Sequence, residues 1–241
     1  SCYKEMFSGC EKLNSIKVGF SNWADETYPA TQNWLNGVSV TGTFECPKAL
    51  SSSRNESHIP NDWKIGNPKY LCFTAQKAGA QIALIKNGTP TDIQFQTSDN
   101  GYIWNNYTIG ETKTLSATGD YIYFRANDIY STMGNSENNC YQFTLSAAPI
   151  AASGSVMSLM DSTCNMSSLL GTYTMANLFK DCTYLTQAPK LTATKVSAYG
   201  YYKMFAGCTG LKTAPELPAT TLNVACYHSM FLNCANLTTA P

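Results

Sequence analysis

The C-terminal part of the chain repeats one pattern of apolar and polar positions every 26 residues. The segment MFAGCTGL at 204–211 returns as MFLNCANL at 230–237, and an earlier version, LFKDCTYL, stands at 178–185. A fixed period of this length is typical of repeat proteins, in which each copy buries its apolar residues against its neighbours. The pattern therefore predicts three tandem coils of a solenoid.

Within one copy, the spacing of apolar residues predicts a short helix followed by a short strand. Cys226, Met230 and Cys234 are four residues apart, which would place them along one side of a helix. The stretch 237–241 is short and ends in proline, which suits a strand that stops there. One strand and one helix per coil is the plan of a leucine-rich-repeat solenoid.

The same pattern stands at the beginning of the chain. Residues 2–13, CYKEMFSGCEKL, share with residues 226–237 the Cys, Tyr, Met, Phe, Cys and Leu of the pattern at the same spacing. The following residues diverge, although 34–38 align with the Met-Phe-x-Gly-Cys segment and 43–47 with the strand after it. Divergent terminal repeats are typical of caps, because the last coil must present a polar face to water.

The region between the two repeat segments has the alternation expected of β-strands. Seven short segments are separated by turn sequences such as NGTP at 87–90 and DNG at 99–101. The segments are 70–74, 81–85, 92–96, 102–107, 112–115, 121–125 and 141–145. Short strands at this density predict a small antiparallel β-sandwich of the immunoglobulin-like kind.

The predicted fold class is therefore α+β, with leucine-rich-repeat solenoid segments flanking a small antiparallel β-sandwich. Residues 1–67 are predicted to form the last solenoid coil and its degenerate C-terminal cap. Residues 68–148 are assigned to the sandwich, and residues 149–241 to the start of a solenoid with three tandem coils.

The repeat has a specific resemblance. The pattern CxxLxxAPxLPATxLxxxCYxxMFxxC is similar to the repeat of the BspA-like leucine-rich-repeat surface proteins of gut and oral anaerobic bacteria, and WLNGVSVTGTFECPKAL at 34–50 resembles their closing segment. The chain departs from the pattern at Thr174 and Gly200, which replace the Cys, and at Leu178, which replaces the Met. The resemblance implies an extracellular or cell-surface protein used in adhesion or binding, with no shared catalytic residues.

Composition and charge exclude several other classes of function. The 16 basic and 16 acidic residues cancel, so the chain lacks the basic character of a nucleic-acid binder. No apolar run approaches the roughly 20 residues that span a bilayer. The sequence also lacks GxSxG and HExxH, and acidic neighbours such as Asp25 and Glu26 stand in no recognisable catalytic frame. We therefore expect a protein that is not an enzyme and needs no cofactor.

The ten cysteines allow two interpretations. A metal site is not indicated, because the sequence has no CxxC pair and the two histidines, His58 and His228, stand alone. Cysteines that recur at the same position of successive coils are expected either to pack as buried thiols or to form a bridge between coils, such as Cys208 to Cys234. Both interpretations remain open at this point.

Candidate binding residues lie in two places. The strand faces of the coils carry Lys212 with Thr213 and Thr238 with Thr239. The predicted sandwich has a loop rich in aromatic residues, which offer a large contact area to a protein or glycan. These residues are Tyr102, Trp104 and Tyr107. The alternative is that these rings belong to the core, since strands bury large side chains.

Two functions of different kinds suit this organisation. The first is a non-enzymatic extracellular module for adhesion or for binding a protein or glycan. The alternative is a structural subunit of a bacterial or phage fibre, in which solenoid ends stack head to tail. We expect Pro241 to be followed by a segment similar to ELPATTL and then by a coil similar to residues 1–13. The predicted stacking interface comprises Cys2, Tyr3, Met6, Phe7, Cys10, Leu13, Cys226, Met230, Phe231, Cys234, Leu237 and Pro241.

Overall fold

The computed structural model describes residues 2–23, 30–46, 50, 53–66, 69–101, 103–130 and 132–241, with the backbone alone at 64–66. The chain divides into two compact units. The first comprises residues 1–67 with 100–102, and the second comprises residues 68–99 with 103–241. The acidic pair Asp25 and Glu26 and the candidate Tyr102 lie outside the described residues.

The first unit contains a parallel sheet of three short strands in sequence order. These are β1 (Ser15–Lys17), β2 (Gly42–Glu45) and β3 (Trp63–Gly66). Phe44 of β2 pairs with Ile16 of β1 and packs in a core that includes Trp34 and Trp63. Each indole is also hydrogen bonded, since Trp34 Nε1 donates to the carbonyl of His58 and Trp63 Nε1 to that of Ser39. Both of these buried indoles are therefore satisfied.

The second unit contains two larger sheets and a small parallel pair of strands. Its strands are β4 (Leu71–Ala75), β5 (Ala80–Asn87), β6 (Phe95–Ser98), β7 (Asn105–Tyr107), β8 (Lys113–Leu115), β9 (Tyr121–Ala126), β10 (Gly134–Ser136), β11 (Asn139–Ser146), β12 (Ile150–Ser153), β13 (Leu185–Gln187), β14 (Lys195–Val196) and β15 (Thr221–Leu222). One sheet has the order β10-β11-β5-β8, and the other has the order β13-β12-β4-β9-β6-β7. The parallel pair is β14-β15.

Each of the seven strand segments predicted between residues 70 and 145 overlaps an observed strand. The rings of Phe73 in β4, Phe124 in β9 and Phe143 in β11 contact one another nearly edge to face. Because Phe143 belongs to one sheet and the other two rings to its neighbour, these contacts form the centre of the core between the sheets.

Strand β12 differs from the sequence expectation, which assigned residues 150–153 to the restarted solenoid. It pairs antiparallel with β4 on one side and parallel with β13 on the other. The first repeat copy therefore continues the six-stranded sheet through backbone hydrogen bonds.

The predicted fold class is wrong. The described chain is almost all β, with 31% of residues in strands and 2% helical, and the predicted solenoid with one helix per coil is not formed. A single 3-10 helix, Val156–Leu159, is the only helical element among the described residues. No helix in this part of the chain is long and apolar enough to cross a membrane.

The segments predicted as helices are instead chains of hydrogen-bonded turns. We name the three tandem repeats copy 1 (171–187), copy 2 (197–213) and copy 3 (223–239). In each copy every fourth residue has a positive φ, at Tyr199, Lys203 and Gly207 in copy 2, for example. An α-helix requires φ near −63° at every residue, so it cannot pass through these positions. The four-residue spacing of Cys226, Met230 and Cys234 is the period of the turns.

The backbone N–H groups of a repeat copy alternate between two kinds of acceptor, one within the same copy and one in the next copy. In copy 2, Met204 N–H donates to the carbonyl of Tyr201 within the copy. The intervening Phe205 N–H donates to Met230 of copy 3 at 2.9 Å, and Lys203 N–H donates to His228 at 3.0 Å. Between residues 199 and 208, every second N–H group therefore depends on the next copy, as the donors of a β-strand depend on its neighbour.

Candidate functional site

Copy 3 presents a row of backbone donors with no acceptor among the described residues. We name the N–H groups of Tyr227, Ser229, Phe231 and Asn233 the donor edge. Their equivalents in copies 1 and 2 each donate to the following copy, whereas these four have no hydrogen bond in the described chain. The alternate N–H groups of copy 3 bond internally, as in Met230 N–H to the Tyr227 carbonyl at 3.2 Å.

The first unit presents the complementary row. We name residues 2–15 the N-terminal copy, and the carbonyl groups of Cys2, Lys4, Met6 and Ser8 the acceptor edge. The equivalent carbonyls of copy 3 accept from copy 2, but those of the acceptor edge have no donor among the residues that the structure describes. The other side of the N-terminal copy is bonded, since Tyr3, Glu5, Phe7 and Gly9 donate to carbonyls between residues 30 and 36.

Side-chain exposure also differs between copies 2 and 3 and the N-terminal copy. Met204 in copy 2 is 0% exposed and Met230 in copy 3 is 3% exposed, but the equivalent Met6 is 55% exposed. Tyr201 is fully buried, whereas the equivalent Tyr3 is 39% exposed. Because the residue types are the same, the difference comes from their surroundings, since no copy among the described residues lies beside the acceptor edge.

An apolar groove lies along the N-terminal copy. It has a volume of about 630 Å³, and its lining includes Tyr3, Met6, Phe7, Leu13 and Trp34. Four of these residues, Tyr3, Met6, Phe7 and Leu13, belong to the repeat pattern whose equivalents in copy 2 are completely buried. The groove is therefore the space that an adjacent copy fills elsewhere in the protein.

The repeated cysteines are free thiols that donate hydrogen bonds to the preceding copy. Cys208 Sγ lies 3.0 Å from the carbonyl oxygen of Phe179, and Cys234 Sγ lies 3.0 Å from that of Phe205. Burial raises the pKa of the Cys182 thiol to about 12. Of the two interpretations of the repeated cysteines, the structure therefore has the buried thiols and not a bridge from Cys208 to Cys234. The equivalent Cys10 is exposed.

The strand-face candidates are brought together. Thr213 forms a parallel bridge with Thr239, and Thr238 donates through both N–H and Oγ1 to the Lys212 carbonyl, at 2.8 and 3.1 Å. All four residues are exposed. They belong to the contact between copies 2 and 3.

The sandwich candidates are packed. Trp104 is half-buried between Tyr70, whose ring centroid lies 4.8 Å away, and the Arg125 guanidinium, 4.1 Å from its own centroid. Tyr107 is 3% exposed, and its hydroxyl accepts from Leu84 N–H at 2.8 Å. The rings of Trp104 and Tyr107 therefore pack mainly against other residues of the protein itself.

The predicted stacking residues fall into two groups. Those of copy 3 are buried at Cys226, Met230 and Cys234 and half-buried at Phe231 and Leu237. Those of the N-terminal copy are exposed at Cys2, Tyr3, Met6 and Cys10 and half-buried at Phe7 and Leu13. Pro241 is exposed.

The backbone donors at Ser229 and Asn233 were not predicted from the sequence. A signal for the turns was present, because the residue before the repeated Cys is Asp181, Gly207 or Asn233. These residue types tolerate a positive φ better than others. The described residues contain no group of three or more His, Cys, Asp or Glu that could hold a metal ion.

Comparison of the chain with protein-family models, curated proteins and solved structures gives no match. The resemblance to BspA-like surface proteins therefore stays a prediction.

Proposed function

We propose that this chain is a non-enzymatic structural subunit that assembles with further copies of itself through its open repeat edges. The observation that carries the proposal is the stacking of copies 1, 2 and 3, in which each copy donates alternate backbone N–H groups to the next copy in a single direction. A further copy can add to the stack in the same way.

Unpaired edge groups favour addition of another chain, because each lost hydrogen bond to water is replaced by one within the assembly. A backbone hydrogen bond contributes about 0.5–1.5 kcal/mol in net terms. Because this contribution is small, backbone hydrogen bonds between copies stabilise a contact mainly by fixing its geometry.

The larger contribution comes from apolar burial. Met6, Tyr3 and Cys10 are exposed, whereas their equivalents in copy 2 are buried. Full burial of one such large side chain contributes about 1.5–3 kcal/mol. Burial of several such side chains would therefore stabilise a contact between copies.

Sedimentation velocity and native mass spectrometry over a concentration series test the proposal. We expect species larger than the 241-residue monomer to increase with concentration. Met6→Lys introduces a charge at the groove and should weaken association by about 10- to 100-fold, the equivalent of one lost apolar side chain. The matched control is Val40→Lys in the same unit, because Val40 is 77% exposed and lies outside the groove. A monomer at every concentration would contradict the proposal.

Binding of an unrelated protein or glycan is the second candidate, in keeping with the extracellular location that the resemblance implies. It is favoured by the exposed row of Lys212, Thr213 and Thr239 on adjacent copies. Replacement of Lys212 and Thr239 by alanine should abolish glycan-array binding without changing the sedimentation of the chain. Unchanged glycan binding in this double variant would exclude the row as the ligand site.

A further inference from the structure

We infer that Lys69 and Arg125 form a binding site for the carboxylate of an acidic sugar on the six-stranded sheet. Lys69 precedes β4, and Arg125 lies in β9, the strand that pairs with β4. The site uses none of the contacts between repeat copies, so it goes beyond the proposed assembly and does not depend on it.

The alternation of β9 places Arg125 on the face of the sheet that points away from the core. Ile122, Phe124 and Ala126 of this strand are buried in the main core. Because successive residues of a strand point to opposite faces, Arg125 stands on the other face. Its side chain is half-buried there. The guanidinium is therefore partly accessible from solvent.

Neighbouring side chains hold the Arg125 guanidinium in one orientation. Its Nε and Nη2 both donate to the side-chain carbonyl of Gln96, at 3.0 and 2.8 Å. The Gln96 amide in turn donates to Asn106 Oδ1 at 3.4 Å. The guanidinium carbon lies 4.1 Å from the centroid of the Trp104 ring. A group fixed in this way loses little further freedom when it binds a ligand.

Two positive charges meet beside one aromatic ring. Lys69 Nζ lies 5.2 Å and Arg125 Cζ lies 5.8 Å from the centroid of the Tyr70 ring. The ion pairs found among the described residues involve neither side chain. In the same part of the chain, the hydrogen bonds of Arg125 come from Nε and Nη2 alone, which leaves Nη1 for a ligand.

The surroundings of Cys164 show that both charges act at one place. Burial raises the pKa of this thiol to about 12, while the charges of Lys69 and Arg125 each act in the opposite direction. Asp161 also acts on the thiol, but it is buried and its oxygens accept four hydrogen bonds from residues 163–166. Its carboxylate is therefore already occupied by these donors.

The chemistry of the site suits a carboxylate on a sugar. A guanidinium offers parallel N–H groups that match the two oxygens of a carboxylate, and a lysine ammonium adds a second charge. Trp104 and Tyr70 lie beside the guanidinium, and the ring of Trp104 is half-buried. An aromatic ring offers a flat apolar surface to the C–H groups of a sugar ring. The ligand is therefore a uronic acid or a similar acidic sugar, either free or within a glycan.

Nuclear magnetic resonance titration of the isotopically labelled full chain tests the site. The probes are glucuronic acid, glucose and an oligosaccharide that ends in glucuronic acid. We expect glucuronic acid to shift the side-chain N–H signals of Arg125 and Trp104, and glucose to leave them unchanged. Tighter binding of the oligosaccharide than of free glucuronic acid would identify a glycan as the source of the sugar, and equal binding would identify the free acid.

Two variants and a matched control locate the binding. Arg125→Lys keeps the charge but removes the parallel N–H groups, so it should weaken glucuronic acid binding by at least about tenfold. Lys69→Gln removes an exposed charge and should weaken binding by about two- to fivefold. Lys113→Gln is the control, because it removes a positive charge that is already paired with Glu111, and it should leave the affinity unchanged.

Several results would overturn the inference. Glucose that binds as tightly as glucuronic acid would exclude a role for the carboxylate. Unchanged affinity in both Arg125→Lys and Lys69→Gln would exclude the site, as would the lack of any shift with glucuronic acid. An acidic peptide that shifts the same signals at lower concentration would exclude a sugar as the ligand. A chain that stays monomeric would contradict the proposed assembly and leave this inference standing.

Discussion

The ring of Phe205 lies parallel to the ring of Phe231, with centroids 5.7 Å apart and 2° between the planes. Phe179 lies against the other side of Phe205, at 5.4 Å and 4°. Successive rings come from equivalent positions of successive copies, so the 26-residue period of the sequence becomes a row of rings through the core. Phe205 is 0% exposed and is the member with a complete copy on each side.

Phe205→Ala should therefore lower the free energy of unfolding by about 3–5 kcal/mol, because it leaves a cavity between two rings that cannot close together. Urea unfolding followed by circular dichroism measures this loss. Leu232→Ala is the control in the neighbouring copy, since Leu232 is 50% exposed and should change stability by no more than about 0.5 kcal/mol. Equal losses in the two variants would contradict a continuous buried row.

The turns of the copies also predict that replacement of a glycine with a positive φ destabilises the protein. Gly207 has φ +76°, and a Cβ there would overlap the Asp181 carboxylate. Gly207→Ala should destabilise the protein by about 1–2 kcal/mol through the left-handed backbone, with up to about 1 kcal/mol more from the contact. Gly110→Ala isolates the backbone cost, because Gly110 has φ +86° and open space around it.

Thermal unfolding of the two glycine variants gives the comparison. A helix at residues 204–211 would reverse the result, since alanine stabilises a helix by about 1 kcal/mol relative to glycine. A gain in melting temperature for Gly207→Ala would therefore argue against the turn structure.

Asp161 makes stability depend on pH. It is 1% exposed, and burial by itself raises the pKa of its carboxyl. The carboxylate also accepts hydrogen bonds from Thr163 N–H and Oγ1, Asn165 N–H and Met166 N–H, at 2.6–2.8 Å, and these together hold its pKa below the ordinary value. The folded protein therefore binds this proton more weakly than the unfolded chain does.

The resulting stability is present above the unfolded pKa of about 3.9 and is lost as the pH falls through the lower folded pKa. Asp161→Asn should cost about 1–3 kcal/mol at pH 7, because the amide can satisfy fewer of these donors. The difference between variant and wild type should shrink toward pH 3 in urea titrations. Asp120→Asn is the control, since Asp120 is exposed and accepts one bond, from Ala117 N–H. A difference that is constant with pH would exclude Asp161 as the titrating group.

The thiols should separate into two classes in alkylation experiments. Cys2 and Cys10 are exposed, whereas Cys182 and Cys208 are buried and burial raises the pKa of both. The thiolate is the reactive form, so the buried pair should react at least about 1,000-fold more slowly with iodoacetamide at pH 8. Peptide mass spectrometry measures each rate. Comparable rates at all four thiols would contradict the burial of the repeat core.

Much of the strand organisation was accessible from the sequence. The alternation in 121–125 predicted β9, and turn sequences such as NGTP at 87–90 marked the end of β5. Strand β12 was missed because residues 150–153, IAAS, are apolar and short and carry no alternation. It is a strand because it pairs with β4 and β13, and no local sequence pattern reveals this pairing.

The helix prediction failed at Cys226, Met230 and Cys234. A spacing of four is close to the 3.6-residue period of an α-helix, and it is also the period of a chain of turns. The residues that distinguish the two conformations are Asp181, Gly207 and Asn233, each before the repeated Cys and each with a positive φ. Their types favour a left-handed backbone, but positions such as Lys203 adopt the same conformation without any such preference.

The sequence by itself determined the equivalence of positions. The 26-residue period specified which Phe, Cys and Leu residues pack together in successive copies, because residues of the same type at the same position meet when copies lie side by side. Only the tertiary structure decided the backbone conformation and, with it, the two edges. The N–H of Phe205 finds its acceptor 25 residues away on Met230, so the turns are stable only beside a neighbour. The same dependence joins copy 1 to copy 2 and copy 2 to copy 3.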